Sequence, residues 1–62
     1  MILSRWTRDG EIAEVIERHP LDGSPGSFTA WNVTRGRYAA EGNFASVAEV
    51  EDVLFEEGWR KA

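Results

Sequence analysis

Residues 43–59 read NFASVAEVEDVLFEEGW, and this stretch contains a start, a periodicity and an end that all indicate one helix. Ser46 and Glu49 have the Ser-x-x-Glu spacing of a capping box, in which each side chain accepts a backbone hydrogen bond in the first turn. Valine and leucine then recur at helical spacing on one side, with acidic residues on the other. Gly58 suits the left-handed conformation that ends many helices. We therefore predict an amphipathic helix over residues 46–58.

The composition predicts a single small domain, residues 1–62, without covalent cross-links. A chain of 62 residues buries only about 60% of its unfolded surface, so its core must be small. There is no cysteine and one histidine, which leaves no disulfide framework and no Cys or His metal cluster. We expect no metal site and no cofactor. Three tryptophans, three phenylalanines and one tyrosine must then supply much of the core.

The charge balance argues against strong nonspecific affinity for nucleic acid, because 11 acidic and 7 basic residues give a net charge of −4. No apolar run approaches the length of a membrane span, and the first residues lack the basic and apolar regions of a signal peptide. We therefore expect a cytoplasmic protein with no membrane partner.

The dipeptide Asp9-Gly10 is a strong hairpin signal. A two-residue turn there would set Arg8 opposite Glu11 and pair opposite charges along both flanks. A helix capped by Asp9 is the alternative, because the apolar residues after the turn also recur at helical spacing. The charge pairing favours a β-hairpin over residues 1–19.

A second hairpin is predicted over residues 28–41, after a loop at 20–27 that is rich in proline and glycine. Its turn is expected at Arg35-Gly36, with two residues between the strands. This register would place Trp31, Val33, Tyr38 and Ala40 on one face, which is expected to pack against the helix.

Together these elements predict an α+β fold, a small three- to four-stranded antiparallel meander with one C-terminal helix packed on one face. The predicted core consists of Trp6, Val15, Trp31, Val33, Tyr38, Phe44, Val47, Val50, Leu54 and Trp59.

The acidic side of the helix is the leading candidate for a binding surface. Glu49, Asp52 and Glu56 share this side with no lysine between them, so the usual salt bridges within the helix are missing. Phe55 flanks the acids and is a candidate interface anchor. The alternative is a solvated face that only aids solubility, although such faces usually mix charges of both signs.

The function expected from this surface is protein binding, to a larger partner with a basic surface. A short, acidic, cysteine-free chain suits an inhibitor from a phage or mobile element. Such an inhibitor would occlude a nucleic-acid-handling enzyme, in the manner of a nucleic-acid mimic or an anti-CRISPR protein.

Two other hypotheses for the function rest on residues of the predicted sheet. The first is a small nucleic-acid-binding domain, in which arginines and aromatic side chains of the β-surface contact phosphates and stack on bases. Its candidate residues are Arg5, Arg8, Arg35 and Arg37. The second is an accessory subunit that forms a homodimer through an exposed face of the sheet.

We expect no enzymatic activity. His19, Asp22 and Ser24 or Ser27 include the residue types of a hydrolytic triad. A loop of prolines and glycines, however, offers such a triad neither a rigid scaffold nor an oxyanion site.

The order of features from the second hairpin onward resembles the WGR-type nucleic-acid-binding module over about half the chain. The shared features are an aromatic strand, Arg35-Gly36-Arg37, Glu41-Gly42, Phe44, Ser46, an acidic helix and Trp59. Arg35 stands where the module has a tryptophan, and the helix lacks the module's basic residues, so no residue role is carried over.

Overall fold

An antiparallel sheet with one helix on one face forms the body of the protein, in a computed structural model that describes residues 1–19 and 26–62. The elements are β1 (Ile2–Arg8), β2 (Glu11–Arg18), β3 (Ser27–Asn32), β4 (Arg37–Phe44), α1 (Val47–Glu56) and β5 (Arg60–Lys61). The strands lie in the order β4-β3-β2-β1-β5. The predicted α+β meander is confirmed, and β5 adds a short strand that the sequence did not predict. Most of the predicted loop 20–27 lies outside the described residues.

The first hairpin has the predicted two-residue turn. Asp9 and Gly10 both have positive φ, 50° and 79°. A two-residue type I′ turn requires positive φ at both positions, and its twist matches that of the paired strands. Arg8 lies opposite Glu11, and the pairing continues along both strands to Ile2 and Ile16. The alternative helix in this segment is therefore wrong.

The second hairpin has a longer turn than predicted. Its strands pair Asn32 with Arg37 and Trp31 with Tyr38, so four residues, 33–36, form the loop instead of the predicted two. The cause is the side chain of Asn32, whose Oδ1 accepts a hydrogen bond from Arg35 N at 3.0 Å and stabilises the wider loop.

The helix packs on the opposite face of β3 from the one predicted, whereas Ala40 of β4 faces the helix as predicted. Ala13, Val15, Ala30 and Ala40 lie buried beneath α1, and small side chains there let the helix approach the sheet closely. Trp31 and Tyr38 lie on the other face, edge to face with ring centroids 5.0 Å apart. Ala39 has no partner in the strand pairing, and the register shift there separates Tyr38 from Ala40.

The core therefore differs in part from the predicted one. Val33 is 49% exposed and Tyr38 is 41% exposed, so their placement in the core is wrong, and Trp31 is half-buried on the far face. The buried members that agree with the prediction are Trp6, Val15, Val50, Leu54 and Trp59, with Phe44 and Val47 partly buried beside them.

Both predicted ends of the helix are confirmed. Ser46 and Glu49 form the reciprocal capping box. At the other end Gly58 has φ 93°, and Trp59 N donates to Leu54 O at 3.0 Å, as in a Schellman ending. α1 has 10 residues, and no helix in the described ranges is long and apolar enough to cross a bilayer.

Candidate protein-binding surface on the helix

The four residues predicted to bind a partner lie together on the solvent side of α1. Glu49, Asp52, Phe55 and Glu56 are all exposed, and we call this surface the outer helix face. Val50 and Leu54, on the opposite side of the helix, are fully buried. Residues three and four positions apart are neighbours on a helix, so the four side chains form one continuous patch.

Glu49 has a structural role that limits what it can offer a partner. Its Oε2 accepts hydrogen bonds from Ala45 N at 2.9 Å and Ser46 N at 3.1 Å. Ser46 Oγ accepts in return from Glu49 N at 3.3 Å. A carboxylate at this end also interacts favourably with the helix dipole. Glu49 therefore stabilises the helix start, and its replacement would change folding as well as surface charge.

Asp52 and Glu56 have no such partners. In the described ranges no lysine, arginine or histidine nitrogen lies within 4.0 Å of either carboxylate, and residues 20–25 contain no basic side chain. Glu56 also lies in the last turn, where the helix dipole disfavours a negative charge by about 0.3–1 kcal/mol. Nothing in the fold explains this pair of charges, in contrast to Glu49.

Glu51, which the sequence did not single out, shows how the chain neutralises an acid that faces the sheet. Its Oε2 accepts from Ser4 Oγ at 3.0 Å and lies 3.4 Å from Lys61 Nζ. Lys61 is in β5, so recognition of that strand would have identified this ion pair. Lys61, the one lysine in the sequence, therefore pairs with Glu51 at the flank of α1 and not with Asp52 or Glu56.

Phe55 is the most exposed large apolar residue of α1, with 58% of its surface accessible. The guanidinium of Arg60 lies 4.6 Å from its ring centroid and covers one side of the ring. Arg60 in turn donates from Nη1 to Trp59 O at 2.8 Å. The ring is therefore held at a defined place on the surface while much of it stays open to a partner.

The four arginines of the nucleic-acid hypothesis do not form one site. Arg5 lies 3.4 Å from Glu14 in a cross-strand ion pair, and Arg35 Nε donates to Glu11 Oε2 at 2.7 Å. Arg8 stacks 4.6 Å above the Trp59 ring and donates to a backbone carbonyl at the end of α1. Arg8 and Arg37 do line a common open groove of about 530 Å³.

Glu11 is the centre of a network that the sequence did not indicate. Asn32, which is buried, donates from Nδ2 to Glu11 Oε1 at 2.8 Å, while Arg35 binds the second carboxylate oxygen. The bond from Asn32, followed by that from Arg35, holds the pKa of Glu11 below its usual value. Arg35 is therefore a structural residue of the second hairpin.

We expect the variant Glu11→Gln to lower the urea midpoint at neutral pH and to lose this difference from wild type in acid. The folded chain binds a proton at Glu11 more weakly than the unfolded chain does. The ionised carboxylate therefore stabilises the fold above its unfolded pKa, and this contribution disappears as the pH falls through the lowered pKa. Urea unfolding at neutral pH and at a series of decreasing pH values measures it. Glu41→Gln, at an exposed glutamate, is the control, and an equal loss there would contradict the network.

The candidate hydrolytic residues are not assembled in the described part of the chain. His19 Nε2 lies 3.3 Å from Glu17 Oε1, and Ser27 Oγ donates to Asn43 Oδ1 at 3.3 Å. Asp22 and Ser24 lie outside the described residues. No group of three histidine or acidic residues in the described ranges could hold a metal ion.

Comparison with known proteins found no protein-family model, no curated protein and no solved structure that matches the chain.

Proposed function

We propose that this chain is a protein-binding module that docks its outer helix face on a basic surface of a larger protein. One observation carries the proposal: Asp52 and Glu56 are exposed and have no cationic partner in the described ranges, next to a phenylalanine that is 58% exposed. Burial of the apolar ring against the partner would add affinity. The charges beside the ring would select a partner with a basic surface.

The helix is well prepared for such contact because both of its ends are fixed. The capping box holds its start, and the Schellman hydrogen bonds and buried Trp59 hold its end. A surface that is already rigid loses little conformational entropy when it binds. Little of the free energy gained from the contacts would therefore be lost in ordering the helix.

A nucleic-acid-handling protein is the partner class that fits best. Asp52 and Glu56 are one helical turn apart, about 6 Å along the axis, which is close to the ~7 Å that separates every second phosphate of one DNA strand along its axis. Negative charges at this order of spacing suit a surface that binds a phosphate backbone. In this role the chain would act as an inhibitor from a phage or mobile element, in the anti-CRISPR manner, by covering that surface.

The test is a tagged pull-down from the native host, followed by affinity measurement with the purified partner. The double variant Asp52→Lys/Glu56→Lys should weaken binding at least about tenfold, which is about 1.4 kcal/mol. The same variant should be no less stable than wild type, because a lysine in the last turn interacts favourably with the helix dipole. Glu49 stays unchanged because it caps the helix.

The matched control is Glu17→Lys/Glu41→Lys, which changes the net charge by the same amount at exposed positions on the sheet. It should retain wild-type affinity. Equal weakening by both double variants would show a response to total charge and contradict the proposal. Retention on a DNA column that Arg37→Glu abolishes would instead support the nucleic-acid-binding hypothesis.

A further inference from the structure

The face of the sheet opposite α1 exposes large apolar side chains. We call it the open face and define it by Ile2, Ile12, Ile16, Trp31 and Tyr38. The strand pairing places Ile2 opposite Ile16 and Trp31 opposite Tyr38, so these pairs share a face, and Ile12 alternates with the buried Ala13 on β2. Ile12 is 39% exposed and Tyr38 is 41% exposed. This number of exposed large apolar side chains on one face is unusual on a monomer and marks an interaction surface.

The charges on the open face are balanced, unlike those on the helix. Arg5 and Glu14 form an ion pair there, in one row across the sheet with Trp31 and Tyr38. The Arg18 guanidinium lies 5.9 Å from the Tyr38 ring centroid at the border of this row. Two copies of the chain would repel each other through their acidic helices, but two open faces can meet without repulsion.

The size of the open face suits a weak dimer. Four strands about 4.8 Å apart and about seven residues long outline roughly 450 Å² in projection, which is below the area of a standard interface. A standard interface buries about 800 Å² per partner, which is about a fifth of the 4173 Å² surface of this chain. A core of this size gains from such support, because chains below about 70–80 residues rarely obtain more than a few kcal/mol from packing alone.

We propose that the open face binds a second copy of this chain, so that two sheets pack face to face about 10 Å apart with a helix on each outer side. Trp31, on β3, would lie inside this interface, with Tyr38 of the edge strand β4 at its border. The dimer would present two outer helix faces in opposite directions, so that one dimer could join two partner molecules. The dimer does not depend on the proposed function, and each can fail without the other.

Nucleic acid fits the open face less well than a second copy does. Arg5 in this row is already paired with Glu14, and Arg18 lies against the Tyr38 ring and donates to Asn43 Oδ1 at 3.4 Å. The Trp31 and Tyr38 rings meet at 84°, edge to face, so they do not form the parallel platform on which successive bases stack. A balanced apolar face favours contact with another protein surface of the same kind.

Sedimentation equilibrium from micromolar to millimolar chain concentration tests the proposal. The wild-type mass should rise with concentration from 7.0 kDa toward twice that value. Ile12→Glu and Tyr38→Glu each place a carboxylate on the open face and should raise the dissociation constant at least tenfold. Circular dichroism checks that both variants fold, as expected because neither side chain belongs to the core.

Phe55→Glu is the matched control, since it makes the same kind of change on the outer helix face. It should leave the dimer intact. A mass that stays at 7.0 kDa at the highest concentration would overturn the proposal, as would a dimer that Phe55→Glu dissociates and Ile12→Glu does not. Binding of a single-stranded oligonucleotide that Tyr38→Glu abolishes would assign the open face to nucleic acid instead.

Discussion

Trp59→Ala should remove a large part of the free energy of unfolding. Trp59 is the largest fully buried side chain, 1% exposed, and it joins the end of the helix to the core. Truncation of a buried tryptophan costs about 3–5 kcal/mol. At about 0.05–0.15 kcal/mol per residue, a chain of this length has only ~3–9 kcal/mol of stability in total. Far-ultraviolet circular dichroism with urea titration measures the loss directly.

The variant Trp59→Phe separates lost packing from lost hydrogen bonding. Within the described residues Trp59 Nε1 is buried without an acceptor, whereas Trp6 Nε1 donates to Ser4 Oγ at 3.0 Å. Phenylalanine removes the unsatisfied N–H and retains most of the ring volume, so the remaining loss should be well below that of alanine. Equal destabilisation by phenylalanine and alanine would contradict this account of Trp59.

The helix was predictable from the sequence because everything that defines it is local. The partners of the capping box are three residues apart, and the Schellman hydrogen bond joins Trp59 to Leu54. The first hairpin was predictable from Asp9-Gly10 together with the opposite charges on its flanks, which favoured it over a helix capped by Asp9. Short-range geometry leaves few alternatives in such segments.

The second hairpin was not predictable in detail because its turn depends on a distant contact. Asn32 stabilises the four-residue loop while it donates to Glu11, 21 positions earlier in the chain. Both faces of the strand pair are apolar, so alternation alone did not distinguish the alanine face under α1 from the aromatic face. The register shift at Ala39 also interrupts the alternation itself.

The candidate surface was predicted in its position but not in the separate roles of its residues. Helical periodicity was sufficient to place Asp52, Phe55 and Glu56 on the solvent side. Glu49 carries both a predicted capping role and a predicted binding role, and the structure shows its carboxylate engaged by two backbone N–H groups. The cross-strand pairing of Arg5 with Glu14 already followed from the first hairpin register, and it weakens the nucleic-acid hypothesis.

Leu54→Ala should destabilise the fold by about 2–5 kcal/mol, because it leaves a cavity where a fully buried side chain fills the space between helix and sheet. The adjacent change Phe55→Ala removes a larger side chain from the surface. It should cost no more than about 1 kcal/mol, mainly through the lost contact with the Arg60 guanidinium.

The two variants distinguish a side chain that maintains the fold from one that is available to a partner. Urea midpoints should order them as Leu54→Ala far below Phe55→Ala, with Phe55→Ala close to wild type. If Phe55→Ala were as destabilising as Leu54→Ala, Phe55 would be a core residue and could not serve as the anchor of the outer helix face. If Phe55→Ala leaves the stability unchanged but weakens partner binding, then Phe55 serves recognition and is not needed for the core of the fold.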